Sequence, residues 1–116
     1  MKYFIFDEKE FDSDSEQYLF MAQSHVKHFL DIEDFLLESE KANYLNPTNP
    51  TRGKVKEKRI SNLQYPGNLI VNMLEYCLVN LKSNDTVFVY HDLWNINDLV
   101  FQNGHTYYRY LWLTSA

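Results

Sequence analysis

"EQYLFMAQSHVKHFLDIEDFLLESEKA", residues 16–42, decides the fold, because it is either one long element or several short ones. Tyr18, Ala22, Phe29, Ile32 and Leu36 recur within it at three- and four-residue steps, and Leu19, Val26, Leu30 and Leu37 widen the stripe. Lys27, Asp31, Glu33, Asp34 and Glu38 mostly fall between them, the pattern of an amphipathic helix. The spacing predicts one long helix to about Ala42, or two helices broken near Asp31. Ser13, three residues before Glu16, has the capping-box spacing that satisfies open N–H groups at a helix start. Asp14 and Glu16 would also face the positive end of the helix dipole.

Upstream, "KYFIF" (2–6) is a continuous apolar run, as expected of a central strand covered on both faces. Downstream, two Asn-Pro pairs and Gly53 forbid a continuing helix, since each Pro moves the residue before it away from the helical region. A long loop at about 43–65 is expected, in which "KVKEKRISNL" (54–63) reads as a turn of helix or an edge strand. Pro66 suits the opening of a second helix, whose stripe is Leu69, Ile70, Met73, Leu74, Cys77, Leu78 and Leu81. "TVFVYH" (86–91) reads as a strand, and "LVFQNGHTYYRYLWL" (99–113) as a hairpin turning on Asn103-Gly104. In its last strand Tyr108, Tyr110 and Trp112 point one way and Tyr107, Arg109, Leu111 and Leu113 the other. One side should meet the helices, while the other forms an aromatic surface, open or covered by a second copy as in a homodimer. The expectation is a single α+β domain spanning 1–116. Its mainly antiparallel sheet has about four strands, in the order β-α-α-β-β-β, with two amphipathic helices on one face.

Aromatic residues make up 16% of the chain and hydrophobic residues 45%, too apolar for a disordered polypeptide. The net charge of −5 hides a segregation. Residues 1–40 carry −8, residues 41–59 carry +5 and the remainder −2. Five of the eleven Lys and Arg residues lie in "RGKVKEKR" (52–59). The single cysteine, Cys77, excludes a disulfide within one chain and a multi-cysteine zinc site, and its place in a helix stripe predicts a buried thiol. "MKYFIFDEKEF" is too short and too acidic for a signal peptide or anchor, and no stretch approaches the ~20 apolar residues of a membrane span. A cytoplasmic address is expected.

Catalytic patterns are wanting. His25, His28 and Asp31 give a helical H-x-x-H with a carboxylate, but not the H-E-x-x-H of zinc proteases, so no metal is expected. Adjacent His91 and Asp92 on a strand would point to opposite faces, which is poor geometry for shared ligation. No G-x-S-x-G occurs, and Gly53, Gly67 and Gly104 are too scattered to cradle a phosphate. No catalytic residue or cofactor is expected.

These features favour a non-enzymatic acidic binding protein that inhibits a larger basic partner by occlusion. The type is a toxin-immunity or phage anti-defence inhibitor of a nuclease-like protein, with no membrane contact. Glu8, Glu10, Asp12, Asp14, Asp31, Asp34 and Glu38 would steer association, and Trp94, Tyr107 and Tyr108 would anchor it. The basic run lacks the aromatics of single-strand binders, and a pI of 5.2 opposes nucleic-acid contact, so the run should fold back toward Asp31–Glu40 or stay mobile. The alternative is a small regulatory or nucleic-acid-binding accessory protein that uses the basic loop 52–59.

Overall fold

A computed structural model describes residues 1–6 and 17–115, with Ile5 and Phe6 described by their backbone alone. Strands β1 (Lys2–Phe6), β2 (Gln17–His25), β3 (Lys56–Arg59), β4 (Thr86–Leu93), β5 (Ile96–Asn103) and β6 (Thr106–Thr114) form one sheet. Their spatial order is β1-β2-β6-β5-β4-β3, with every neighbouring pair antiparallel. Helices α1 (Ile32–Glu40) and α2 (Pro66–Cys77) complete the α+β fold. No helix among the described residues is long and apolar enough to cross a membrane.

The sheet has six strands rather than about four, and the difference begins in the stretch that opens the sequence analysis. Gln17–His25 is a strand, not the first half of a long helix. Pairing with β1 and β6 satisfies both its edges, and helices on either side cover both its faces, so Tyr18 to Ala22 are all buried. An apolar residue at every position satisfies a period of 2 and a period of 3.6 equally, which is why the periodicity misleads here. The Ser13–Glu16 capping spacing lies outside the described residues, and the described residues that follow it, Gln17–His25, are strand. Helix α1 starts instead where the second option placed a break. Asp31 is its N-cap, accepting the Asp34 N–H at 2.7 Å, while the Asp34 carboxylate accepts the Leu30 N–H at 3.1 Å.

Among the described residues "KYFIF" is an edge strand paired with β2 alone, not a central one. "KVKEKRISNL" resolves as the opposite edge strand, β3, followed by a 3-10 turn, Ile60–Asn62, that buries Ile60. The last hairpin turns on Gly104 and His105, one residue later than expected, because Asn103 is already paired with Thr106. A positive φ at the first central position alone, Gly104 at 61°, replaces the two that Asn103-Gly104 would need.

The helices lie on opposite faces of the sheet, not on one. Leu19, Met21, Tyr108, Tyr110 and Trp112 pack with Leu69 and Met73 of α2 in one cluster. Tyr18, Phe20, Ala22 and Leu111 pack with Phe35 and Leu36 of α1 in the other. The alternation read along β6 is therefore real, but both of its faces are buried. Helix α2 stops at Leu78, which adopts a left-handed conformation (φ 56°) and donates its N–H to Leu74. Val79 and Leu81 then enter the α2-side core without helical structure.

Candidate interaction surfaces

The charge map begins inside the protein. Arg109 is fully buried, and all five of its N–H donors find acceptors. Nε and Nη2 meet Asp98 at 3.2 and 3.0 Å, Nη1 meets Glu40 at 2.7 Å, and Thr48 and Ser39 hydroxyls accept at 2.8 and 3.4 Å. The Phe20 ring lies 5.6 Å from its Cζ. Burial works against the guanidinium charge, but Asp98 and Glu40 outweigh it and hold the Arg109 pKa above its ordinary value. Glu40 also accepts the Thr48 N–H at 2.9 Å, so the network pins the start of the long loop to the sheet. Nearby, the buried Tyr18 hydroxyl donates to Asn43 at 2.9 Å, and burial pushes its pKa up to about 12. This is a structural lock: no side-chain polar atom buried among the described residues lacks a partner.

The acids nominated as a steering face divide. Glu8, Glu10, Asp12 and Asp14 lie outside the described residues. Asp31 pairs with Arg52 at 3.2 Å, Asp34 meets the same guanidinium at 3.6 Å, and Glu33 accepts the Gly53 N–H at 2.6 Å. The backbone N–H of Asp34, with help from Arg52, holds the Asp31 carboxyl below its ordinary pKa. Glu38 pairs with Lys41 at 3.1 Å. The start of "RGKVKEKR" therefore folds back onto the start of α1, where the single charge of Arg52 offsets part of the acidic charge.

The three nominated anchors divide as well. Trp94 is 58% exposed in the turn between β4 and β5, beside the exposed Leu93. Its carbonyl accepts the Tyr65 hydroxyl at 2.8 Å, which braces the turn against the start of α2. Tyr107 is half-buried against Phe29 and Phe35, and Tyr108 is buried against Phe101 with its hydroxyl pKa raised by that burial. Both rings are core, because both faces of β6 are covered.

The remainder of the basic run builds something the sequence reading missed. Val55 packs into the α1-side cluster, so the alternate residues Lys54, Lys56 and Lys58 share the other side of the chain. They line one open groove of about 480 Å³ with Tyr90, His91 and Asp92 of β4. A β-bulge between Val89 and His91 leaves Tyr90 outside the ladder register, and the Tyr90 and His91 rings sit edge to face, 4.4 Å apart. The Tyr90 hydroxyl reaches the Asn49 carbonyl at 3.2 Å. Asp92 takes no part in a His91 pair: it holds Lys58 at 3.1 Å and accepts the Gln64 N–H at 3.0 Å. The aromatics absent from the run itself thus come from the neighbouring strand, a juxtaposition that only strand pairing reveals.

His25 has two histidine neighbours, since the His105 ring stacks 5.9 Å away and His28 lies 6.3 Å away edge-on. Desolvation, Lys27 and the two other rings lower the His25 pKa, and its Nδ1 accepts the Lys27 N–H at 3.0 Å. No group of side chains among the described residues is arranged to hold a metal ion. Cys77 is half-buried rather than buried, and its surroundings push the thiol up to about 11. No family model, no curated protein and no solved structure matches the chain.

Proposed function

We propose that the protein is a non-enzymatic binding protein that inhibits a larger basic partner by occlusion, in the manner of a toxin-immunity or phage anti-defence inhibitor. The observation that carries this reading is Trp94, a large exposed ring on a two-residue turn whose carbonyl is fixed by Tyr65. A turn whose backbone is braced loses less freedom on binding, and the exposed ring it carries would supply the desolvated centre of an interface. The charge distribution supports it. Residues 7–16 hold six acids against Lys9, so this segment alone accounts for the whole net charge of −5. With Asp31, Asp34 and Glu38 paired at the surface to Arg52 and Lys41, steering falls mainly to Glu8, Glu10, Asp12 and Asp14.

The test is affinity capture followed by kinetics with the purified partner. Trp94→Ala should accelerate dissociation at least about thirtyfold, as expected of a central anchor. Neutralising Glu8, Glu10, Asp12 and Asp14 should slow association and flatten its salt dependence. A captured partner that is itself acidic, or one whose binding ignores both variants, would sink the proposal.

A further inference from the structure

We infer that the groove between β3 and β4 binds the phosphate backbone of single-stranded nucleic acid, a reading that goes beyond occlusion and does not depend on it. Lys54 and Lys56 contact phosphates, and the Tyr90–His91 ring pair supports a base.

Four observations carry this. The first is alternation: Lys54, Lys56 and Lys58 line the same groove, while Val55 turns into the core and Glu57 lies opposite Phe88 of the α1-side cluster. The groove side of the run is therefore basic without interruption. Along an extended chain these lysines recur about every 6.8 Å, twice the ~3.4 Å rise per nucleotide of a stacked strand. The second is availability. Among the described residues Lys54 and Lys56 make no ion pair, whereas Lys58 is held by Asp92, whose side chain is only 7% exposed.

The third is the bulge. Lysines on an edge strand also discourage edge-to-edge pairing, which would account for Lys56 and Lys58. It does not account for Lys54, which precedes the strand, nor for a bulge that brings two rings beside the cations. Basic side chains with a stacking surface are the two components of sequence-tolerant single-strand binding. The fourth is the field. Without residues 7–16 the chain is electrically neutral, and the residues that flank this acidic segment, Phe6 and Gln17, lie on the two strands farthest from β3. Four to five strand spacings, about 19–24 Å, separate these flanking residues from β3, well beyond a screening length of ~8 Å. The overall pI thus says little about the potential at the groove.

Fluorescence anisotropy of a labelled oligothymidylate with the full chain, over a range of salt, tests the inference. Two phosphate contacts predict that log Kd rises with log salt at a slope of about 1.4. Lys54→Gln with Lys56→Gln should abolish the slope and weaken binding at low salt more than tenfold, with an unchanged thermal unfolding curve. Tyr90→Ala should weaken binding at least about fivefold without changing the slope, and Tyr90→Phe, which keeps the ring, should not. Asp92→Asn, which releases Lys58 yet retains an acceptor for Gln64, should tighten binding and raise the slope to about 2.1. Absence of saturable binding at low salt would overturn the inference, as would binding indifferent to the two lysines. Displacement by inorganic phosphate at the same total phosphate concentration would overturn it too, because the ligand would then be the free anion. Retained binding in Trp94→Ala separates this groove from the protein-docking turn.

Discussion

Replacing Arg109 by Met leaves Asp98, fully buried, and Glu40, mostly buried, without their cation. Removing one partner of a buried ion pair costs about 3–5 kcal/mol, because the remaining charge keeps its desolvation penalty and loses its compensation. A chain of this length has a total stability on the order of 10 kcal/mol, so a third or more of it rests on one side chain. At ~4 °C per kcal/mol the midpoint of thermal unfolding should fall by about 15 °C. Urea unfolding should show the loss as a lower midpoint with unchanged slope. The loss should be local as well as global: the Thr48 and Asn49 N–H groups, which donate to Glu40 at 2.9 and 3.5 Å, should exchange faster with solvent. Adding Asp98→Leu to Arg109→Met should cost less than the two single changes together, by about 1–3 kcal/mol, because both remove the same interaction. A single-variant cost under about 1 kcal/mol, or strict additivity of the pair, would refute the assignment of this network as the lock of the fold.

Further outcomes follow from local chemistry. Leu78→Gly should stabilise the protein by about 1 kcal/mol, read in urea, because Leu78 holds a left-handed conformation that suits glycine and its side chain is largely exposed. The Asp31 pKa is lowered in the fold, so its contribution is present above the ordinary value of 3.8 and lost as pH falls through the lower folded value. Asp31→Asn, still a competent cap, should flatten the stability profile in that acid range. Cys77, pushed up to about 11, should react with an alkylating reagent at neutral pH far more slowly than a small-molecule thiol, and at the rate of unstructured cysteine once the protein is unfolded. His25 should titrate below 6.5 by NMR, and His105→Asn should raise its midpoint by removing one of the neighbouring rings that oppose its charge.

Legibility from the sequence depended on how many faces of an element are buried. Helix α2 is legible because only one side of it meets the core, so Leu69 and Met73 are buried while Val71 is exposed, although Leu74 and Leu78 of the expected stripe are exposed too. Strand β2 is not, because burial on both faces removes the alternation that distinguishes a strand. Placing both helices on one face leaves the other face open, which is why Tyr107 and Tyr108 read as surface anchors; with a helix on each side, Tyr107 packs on the α1 side and Tyr108 on the α2 side. The ionic lock was hidden for a different reason. Arg109 and Asp98 look like ordinary surface charges in a strand; only the register that sets Val100 opposite Arg109, with α1 above, reveals them as interior.

The lock and the groove are mechanically coupled, and this constrains how a ligand can be recognised. The segment from Ala42 to Val55 has little regular structure, yet it is fastened at Thr48 to Arg109 and Asp98, at Asn49 to the Tyr90 hydroxyl, and at Arg52 and Gly53 to the start of α1. Lys54 follows directly on the last of these fastenings, so its backbone is placed before any ligand arrives. A site whose cations are positioned in advance gives up less conformational entropy on binding than one built on a loose loop. Arg109→Met should therefore weaken oligonucleotide binding although Arg109 is fully buried and cannot touch a ligand, while association through Trp94 should be spared. The two surfaces would then be separable by one buried substitution.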